Sequence, residues 1–249
     1  EAITDKTKVI MPVSLYGQCP DFEKINKIAD MHELFVVEDA AQSFGASFKG
    51  HRSCGLSTIG CTSFFPTKPL GGYGDGGACF TSDKKLADLM RLLINHGQEN
   101  KYNHTRLGIN GRMDTLQAAV LLAKLEIFED ELTRRNVVAQ NYSDMLAKAE
   151  YRGYLQLPKI MEHCNSVWAQ YTIQVSDRDN VQKTLSEAGI PTSVHYPTPL
   201  YRQPALFQQG VMCPSTENVV REVLSLPMHP YLSMETQAWI SETVIETLE

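Results

Sequence analysis

Ser63-Phe-Phe-Pro-Thr-Lys-Pro-Leu-Gly-Gly-Tyr-Gly-Asp-Gly-Gly77 separates two strand-like runs and places Lys68 between two prolines. Proline on both sides prevents a helix from running through the lysine. The five glycines that follow let a ligand approach the backbone closely. The stretch therefore predicts an amine on a rigid turn, suited to Schiff-base chemistry if its surroundings lower its pKa. The alternative is an ordinary glycine-rich turn with a solvated lysine.

A second segment, Glu33-Leu-Phe-Val-Val-Glu-Asp-Ala-Ala-Gln-Ser-Phe-Gly45, is an apolar run that ends in two carboxylates. Continuous apolar runs are typical of buried parallel strands, and open α/β sheets bind ligands beyond the carboxyl ends of their strands. Asp39 at such an end could pair with a cationic ring nitrogen. Pyridoxal phosphate requires this combination of a lysine and an acid. The alternatives for Asp39 are a cap on the following turn or a metal ligand.

The order of the remaining elements predicts an α/β fold. Strands are expected near residues 9–13, 34–37, 58–65, 77–81, 167–175 and 191–196, and helices near 21–31, 84–95, 115–149, 179–188, 216–223 and 234–247. A strand–helix–strand order at the start predicts a largely parallel sheet. The long helical stretch should be broken near Thr133, and Asp114 with Gln117 forms a plausible capping pair at its start. The later elements predict a small α+β domain.

Composition excludes several classes of function. A formal charge of −6 over 249 residues leaves no basic surface for nucleic acid, and no apolar run is long enough for a membrane span. The six cysteines show no metal-ligand spacing, so free thiols in a reducing, cytoplasmic setting and no metal site are expected.

Four ordered motifs carry a family resemblance: Val36-Val-Glu-Asp-Ala-Ala-Gln-Ser43, Ser63-Phe-Phe-Pro-Thr-Lys68, Gly74-Asp-Gly-Gly-Ala78 and Gly108-Ile-Asn-Gly-Arg-Met-Asp-Thr-Leu-Gln-Ala-Ala119. Together they resemble the DegT-type sugar aminotransferases, which are fold-type I, pyridoxal phosphate enzymes acting on nucleotide-linked keto sugars. Further matches extend almost to the C-terminus, so the resemblance covers essentially the whole chain.

The resemblance implies a role for each of five residues on the cofactor side. Lys68 would hold the cofactor and shuttle the proton, and Asp39 would pair with the pyridine nitrogen. Gln42 would pack near the ring or its hydroxyl, and Ser63 would bind the phosphate. Asn110 would reach the phosphate of a neighbouring subunit, which implies a homodimer with shared active sites.

On the sugar side the resemblance implies Arg112, His195 and Tyr196. Ser14-Leu-Tyr-Gly-Gln18 and Arg52-Ser-Cys54 are most similar to UDP-2-acetamido-2-deoxy-ribo-hexuluronate aminotransferases, which transfer an amino group from glutamate to C3 of a sugar acid for surface polysaccharide (O-antigen) precursors. The alternatives are a 4-aminotransferase for a UDP- or dTDP-4-keto-6-deoxy sugar and a non-catalytic, cofactor-binding regulatory module. A dehydratase of the same fold is disfavoured, because it would carry histidine in place of Lys68.

The chain starts without methionine and lacks the Gly-Thr/Ser-rich, phosphate-binding turn that family members carry upstream, so an N-terminal segment is expected to be missing. The predicted organisation is a partial cofactor-binding domain over residues 1–125, followed by an interdomain helix and a small C-terminal domain over residues 126–249.

Overall fold

The computed structural model describes residues 2–207 and 210–249. These residues form two units. The first comprises Glu1–Leu132 and Ile160–Ala169, and the second comprises Thr133–Lys159 and Gln170–Glu249. The division of the main chain thus falls after Leu132, whereas the sequence predicted it after residue 125.

The strands are short. In chain order they are β1 Val9–Ile10, β2 Phe35–Asp39, β3 Ser47–Phe48, β4 His51–Arg52, β5 Ile59–Ser63, β6 Gly77–Phe80, β7 Gln98–Asn100, β8 Asn103–His104, β9 Leu155–Gln156, β10 Cys164–Asn165, β11 Tyr171–Val175 and β12 Val223–Leu226. The helices are α1 Phe22–Met31, α2 Lys84–Ile94, α3 Thr115–Leu125, α4 Phe128–Tyr151, α5 Arg178–Glu187, α6 Pro214–Glu222 and α7 Met234–Leu248. Single 3-10 turns cover Leu15–Gly17, Leu200–Arg202 and Pro204–Leu206.

The main sheet of the first unit has the strand order β1-β2-β5-β6. β1, β2 and β5 are parallel and β6 is antiparallel to β5. The predicted α/β class with a largely parallel sheet is therefore confirmed. A smaller antiparallel sheet, in the order β10-β3-β4, and the β7–β8 pair complete the strands of this unit.

Two helices of the first unit begin at aspartates that the sequence supplies as caps. The Asp21 carboxylate accepts a hydrogen bond from the Lys24 amide at 3.1 Å, and the Asp83 carboxylate accepts one from the Lys85 amide at 2.7 Å. Such caps satisfy amide groups that have no partner within the helix. They explain why α1 and α2 start within a residue of the predicted positions.

The long helix predicted over residues 115–149 is two helices. α3 ends at Leu125 and α4 begins at Phe128, so the break lies at residues 126–127 and not near Thr133. Phe128 is buried at the start of α4, where its ring lies 5.8 Å from that of Phe44. The helical pattern predicted a buried face that includes Phe128, but it did not predict that a new helix starts at this residue.

The core of the first unit consists of apolar side chains from the sheet and its flanking helices. Phe44 is central, since its ring also lies 5.9 Å from Phe64 in an edge-to-face arrangement. The buried members of the cluster include Phe22, Val36, Phe64, Leu70, Phe128 and Leu132. Phe64 and Leu70 flank the lysine turn, so packing holds both of its ends.

The second unit contains the antiparallel sheet β12-β11-β9. Its fully buried Tyr142 and Tyr171 have ring centroids 5.0 Å apart, and the Tyr142 hydroxyl donates to the Pro227 carbonyl at 3.0 Å. The predicted strand at residues 191–196 is wrong, because the only pairing described there is the bridge between Ser193 and Ser225. Ser225 belongs to β12, which was not predicted as a strand; its first residue, Val223, lies in the helix predicted over residues 216–223.

Candidate functional site

Asp39 and Ser63 end two neighbouring parallel strands. The register pairs Asp39 with Cys61, so both carboxyl ends point to one edge of the sheet. The Asp39 side chain accepts a hydrogen bond from the Ala41 amide at 3.0 Å, and the Ser63 oxygen accepts one from the Phe65 amide at 3.2 Å. A carboxylate and a hydroxyl therefore stand at adjacent strand ends, where open α/β sheets bind ligands.

Lys68 lies on the turn that directly follows β5. Its amide donates to the Phe65 carbonyl at 2.9 Å, which closes the turn, and the next residues, Pro69 and Leu70, are buried. The Lys68 side chain is half-buried. Among residues 2–207 and 210–249, its amine has neither a hydrogen-bond partner nor an ion pair. The backbone around Lys68 forms a hydrogen-bonded turn and no helix, as the prolines predicted.

The glycine-rich segment after Lys68 is braced by α3. The Gln117 side-chain oxygen accepts a hydrogen bond from the Tyr73 amide at 2.8 Å, and the Lys124 amine donates to the Gly71 carbonyl at 2.6 Å. A Cβ atom at Gly72 would lie 2.9 Å from the Gln117 oxygen and would displace that side chain, whereas a Cβ atom at Gly71 would lie 2.5 Å from the Pro66 carbonyl oxygen, so the close approach of the backbone at residue 71 requires glycine. The helix thus holds the segment in place through two polar side chains.

The prediction that Asp114 and Gln117 form a capping pair is wrong. Asp114 precedes the first turn of α3, but its side chain makes no capping hydrogen bond, and Gln117 is engaged with Tyr73 instead. Spacing alone could not distinguish the two uses of a glutamine at the third helical position. The glycine run of residues 71–77 signalled that its amides need partners outside the run, but it did not point to Gln117, which lies 44 residues from Tyr73 in the sequence.

A buried carboxylate for which no role was predicted, that of Glu38, lies beside Asp39. Glu38 is fully buried and accepts hydrogen bonds from the Ser14 hydroxyl, the Ser53 hydroxyl and the Cys54 amide, each at 2.7 Å. Three donors compensate for the loss of water around this charge. The network joins the segments after β1 and β4 to β2, so it anchors the strand that carries Asp39. An acid inside an apolar strand was the available signal, because such a group must be paired.

Gln42 is buried, and its side-chain oxygen accepts a hydrogen bond from the Tyr16 amide at 2.6 Å. Tyr16 has a φ of 58°, a left-handed conformation that is uncommon for this residue type. Gln42 therefore supports the strained turn after β1, at the same edge of the sheet as Asp39. Its placement near a cofactor ring stays a prediction.

Asn110 and Arg112 are exposed and lie beside the end of α2. Asn110 pairs with Asn95 in an isolated antiparallel bridge, and an Arg112 nitrogen donates to the Asn95 side-chain oxygen at 2.8 Å. Their described contacts are thus with α2 and its end, and not with Asp39 or Ser63. Met113, which follows Arg112, lies close to the glycine segment, because a Cβ atom added at Gly76 would be 3.2 Å from the Met113 sulfur.

His195 and Tyr196 belong to the second unit, in the loop after Ile190. Their rings lie 5.4 Å apart in an edge-to-face arrangement, with Tyr196 exposed and His195 half-buried. The structure thus places the side chains of His195 and Tyr196 next to each other. Their role toward a sugar stays a prediction.

Two negative findings concern the described part of the chain, residues 2–207 and 210–249. His, Cys, Asp and Glu side chains there form no group of three or more that could hold a metal ion. No helix in these ranges combines the length and the apolar character that crossing a membrane requires.

Comparison with known proteins adds to the geometry. A sequence model of the DegT/DnrJ/EryC1/StrS aminotransferase family matches residues 1–245. The UDP-2-acetamido-2-deoxy-3-oxo-D-glucuronate aminotransferase of Pseudomonas aeruginosa is 54% identical over 231 residues, which cover 93% of this chain and 63% of that protein.

Two solved structures share the fold. One is a DegT DnrJ EryC1 StrS aminotransferase from Brucella abortus, with a TM-score of 0.89 and 41% identity over 95% of this chain and 63% of that chain. The other is ntda from Bacillus subtilis with bound cofactor pmp, with a TM-score of 0.91 and 33% identity over 99% of this chain and 58% of that chain. The chain therefore spans about three fifths of the length of each of these three proteins.

Proposed function

Because the chain belongs to the DegT/DnrJ/EryC1/StrS aminotransferase family, we propose that it carries the central catalytic residues of a pyridoxal phosphate-dependent nucleotide-sugar aminotransferase. One observation supports this most directly. Lys68 stands on a rigid turn that begins at the end of β5, and Asp39 stands at the end of the neighbouring strand. An amine and an acid at one edge of a parallel sheet suit that chemistry.

The donor set fits the cofactor. The Lys68 amine makes no hydrogen bond or ion pair with any described residue, so no carboxylate competes for it. The Ser63 oxygen serves as an acceptor for the Phe65 amide, which leaves its hydrogen for a phosphate oxygen. Asp39 uses one side-chain oxygen for the Ala41 amide and has further acceptor capacity. When bound, pyridoxal phosphate supplies an aldehyde and a ring that accepts electrons from the substrate carbon.

Each residue then has a defined task. The Lys68 amine binds the aldehyde and moves the proton to and from the carbon that loses or gains the amino group. The Asp39 carboxylate holds a proton on the pyridine nitrogen through a charge-assisted hydrogen bond. Ser63 would orient the phosphate, and Gln42, which holds the turn at Tyr16 in place, would pack near the ring. Gln117 and Lys124 hold the glycine segment in position.

The proposed substrates are glutamate and a UDP-linked 3-keto sugar acid, UDP-2-acetamido-2-deoxy-ribo-hex-3-uluronate. The 54% identity to the P. aeruginosa protein and its name support this choice. A planar guanidinium can bind a carboxylate through two parallel hydrogen bonds. We assign that task to Arg112, whose described partner, the Asn95 amide oxygen, is uncharged. His195 and Tyr196 would contact parts of the sugar that acidic and neutral substrates share.

The proposed assembly is a homodimer in the cytoplasm, acting in the synthesis of surface polysaccharide (O-antigen, lipopolysaccharide) precursors. Asn110 would reach the cofactor phosphate of the partner subunit. Its exposed position, with contacts to the end of α2 and none described to its own strand ends, supports that assignment.

The first experiment records the absorption spectrum of the purified protein with pyridoxal phosphate, before and after addition of glutamate. We expect glutamate to convert the cofactor to its amine form. Borohydride reduction before glutamate is added should attach the cofactor mass to the peptide that contains Lys68. Lys68→Ala should remove both signals and turnover, whereas Lys85→Ala, which removes an exposed lysine on α2, should retain them. Multiple turnovers by the Lys68 variant would refute the assignment.

A second experiment determines the sugar. UDP- and dTDP-linked 3-keto and 4-keto sugars, acidic and neutral, are assayed with glutamate for the wild type and for Arg112→Ala. We expect preference for the acidic 3-keto sugar and a selective loss of its use in the variant, by about 1.5–3 kcal/mol for hydrogen bonds to a charged group. Equal losses on acidic and neutral sugars would exclude Arg112 as the specificity residue. Preference for a 4-keto sugar would establish the alternative activity, and a spectrum that glutamate never changes would indicate a regulatory module.

A further inference from the structure

Two cysteines face each other across the strands that flank the lysine turn. Cys61 of β5 lies directly opposite Cys79 of β6, and their sulfur atoms are 3.7 Å apart. The hydrogen bond from the Phe64 amide to the Gly76 carbonyl makes alternate pairs of this ladder hydrogen-bonded, which leaves Cys61 and Cys79 as a non-hydrogen-bonded pair. The Cys61 carbonyl accordingly points away from β6 and accepts a hydrogen bond at 2.7 Å from the amide of Ala40, the residue that follows β2.

Non-hydrogen-bonded pairs bring opposing side chains closest together. Their Cα atoms lie about 4.5 Å apart, and disulfides span Cα separations from about 4.4 Å upward. A small rotation about each Cα–Cβ bond is therefore sufficient to bring the two sulfur atoms to bonding distance without moving the strands. The pairing of β5 with β6 on both sides of the cysteines favours this closure.

The two thiols can be reached by small molecules. Cys79 is exposed and Cys61 is half-buried, and both line a cavity of about 950 Å³ between β5, β6 and α2. Cys54 borders the same cavity but is buried, as are Cys19 and Cys164, and the exposed Cys213 belongs to the second unit. The Cys61–Cys79 pair thus combines proximity with access, which the other cysteines do not.

We propose that Cys61 and Cys79 form a reversible disulfide by exchange with a low-molecular-weight disulfide. The Cys79 thiolate attacks one sulfur of the oxidant, whose S–S bond breaks and releases one thiol. The Cys61 thiolate then attacks the Cys79 sulfur of the mixed disulfide and releases the second thiol. Two protein thiols are oxidised, the oxidant is reduced to two thiols, and the protons of the protein thiols pass to the released thiolates.

The surroundings of the pair favour this order of attack. Burial, followed by the contact with Cys79, raises the pKa of the Cys61 thiol from 9.0 to about 11. Cys61 is therefore largely protonated near neutral pH, and the more exposed Cys79 meets the oxidant first. Closure by Cys61 should become faster as the pH rises, because the thiolate is the attacking species.

The disulfide would join the two ends of the segment that carries Lys68. Ser63 and Gly77 form the last strand pair before that segment leaves the sheet, two residues from the cysteines. A bond at this place would close residues 61–79 into a ring and limit separation of β5 from β6. This inference does not depend on the proposed aminotransferase activity.

The test uses the whole protein under native conditions, with oxidised and reduced glutathione at graded ratios. Acid stops the exchange, the free thiols are then alkylated with a maleimide in denaturant, and peptides are mapped by mass spectrometry without reduction. We expect a crosslink between the peptides of Cys61 and Cys79, with loss of two hydrogens, that dithiothreitol reverses. The crosslink should exceed the glutathione adduct of Cys79 at least ~10-fold, because the second exchange is intramolecular.

Matched variants make the result specific. Cys213→Ser should leave the crosslink unchanged. Cys61→Ser should leave Cys79 as a stable glutathione adduct, which shows that Cys79 is reached and that Cys61 resolves it. The proposal is overturned if, in the wild type, Cys79 accumulates as a glutathione adduct while Cys61 is still alkylated at pH 7 and pH 9. Absence of any modification of Cys79 would overturn it equally, and an unchanged circular dichroism spectrum confirms that the native fold was tested.

Discussion

At the scale of single residues, a substitution at Asp39 can test the charge of its side chain separately from the hydrogen bond that the side chain makes. Asp39→Asn keeps the side-chain shape and the hydrogen bond from the Ala41 amide, but removes the charge that we assign to the pyridine nitrogen. We expect turnover to fall by at least the ~1.5–3 kcal/mol of a charge-assisted hydrogen bond, with modest loss of cofactor affinity. Single-turnover kinetics with glutamate and equilibrium dialysis of pyridoxal phosphate measure the two effects. Unchanged turnover would mean that Asp39 does not face the ring.

Cys19 predicts how stability depends on pH. Burial, with a smaller contribution from the charge of Glu38, raises the pKa of the Cys19 thiol from 9.0 to about 12. Below pH 9 the thiol is protonated in both the folded and the unfolded chain, so its contribution to the free energy of unfolding is fully present. Above pH 9 the unfolded chain releases the proton first, and the free energy of unfolding falls by up to ~1.4 kcal/mol per pH unit until about pH 12.

Chemical denaturation at pH 8.5 and pH 10.5 measures this effect. Cys19→Ala should lose less stability over the interval than the wild type, because it removes one titrating group. Cys213→Ala, which removes an exposed thiol, should match the wild type. Identical losses in all three proteins would show that Cys19 does not titrate in this way.

At the scale of elements, α3 holds the glycine segment in position through Gln117. Gln117→Ala removes the acceptor for the Tyr73 amide, a bond of 2.8 Å. Loss of one such hydrogen bond is worth about 1 kcal/mol, so amide exchange at Tyr73 should become roughly fivefold faster. Hydrogen–deuterium exchange of the segment measures this. Gln140→Ala, an exposed glutamine bonded to Asp144 in α4, serves as the control, and equal exchange in both variants would contradict the bracing role.

Elements were predictable where the sequence carries local signals. Asp21 and Asp83 mark the starts of α1 and α2 because their side chains cap the helices directly. The strand predicted at residues 167–175 starts only at Tyr171, since Trp168 adopts a φ of 49° that interrupts an extended chain. The break before Phe128 and the absence of a strand at residues 191–196 depend on long-range packing and pairing, which no local pattern reports.

The candidate site shows the same division. The non-helical turn at Lys68 and the strand end at Asp39 were predictable, because prolines and glycines surround the lysine and an apolar strand precedes the aspartate. Gln117, Lys124 and Glu38 were not predicted, because their partners lie far away in the sequence: Lys124 binds Gly71, and Glu38 binds Ser14 and Ser53. A polar side chain reveals its task only when the fold supplies its partner.

At the scale of the whole molecule, the proposed homodimer predicts subunit complementation. Lys68→Ala and Asn110→Ala proteins should each be nearly inactive, because each lacks a residue in every site. In a mixed dimer, one shared site would contain both defects and the other neither. Activity after subunit exchange should therefore recover toward one quarter of the wild-type value for an equal mixture with random pairing.

The control mixes Lys68→Ala with itself under the same exchange conditions, and native mass spectrometry confirms that mixed dimers form. Formation of mixed dimers without recovery of activity would place Asn110 in its own subunit's site or outside any site.

The strand that carries Asp39 has a consequence for engineering and for divergence among related enzymes. The main chain of this strand is hydrogen-bonded along both edges. On one edge, the Asp39 amide donates to the Pro12 carbonyl and the Asp39 carbonyl accepts from the Ser14 amide, both at 2.9 Å. On the other edge, the strand pairs with β5. Main-chain hydrogen bonds on both edges of the strand therefore support the backbone of residue 39 whatever side chain it carries. Saturation mutagenesis of residue 39 can therefore be used to search for new reactivity. Such variants would change the acidity of a ring bound there, while the strands that position Lys68 stay in place.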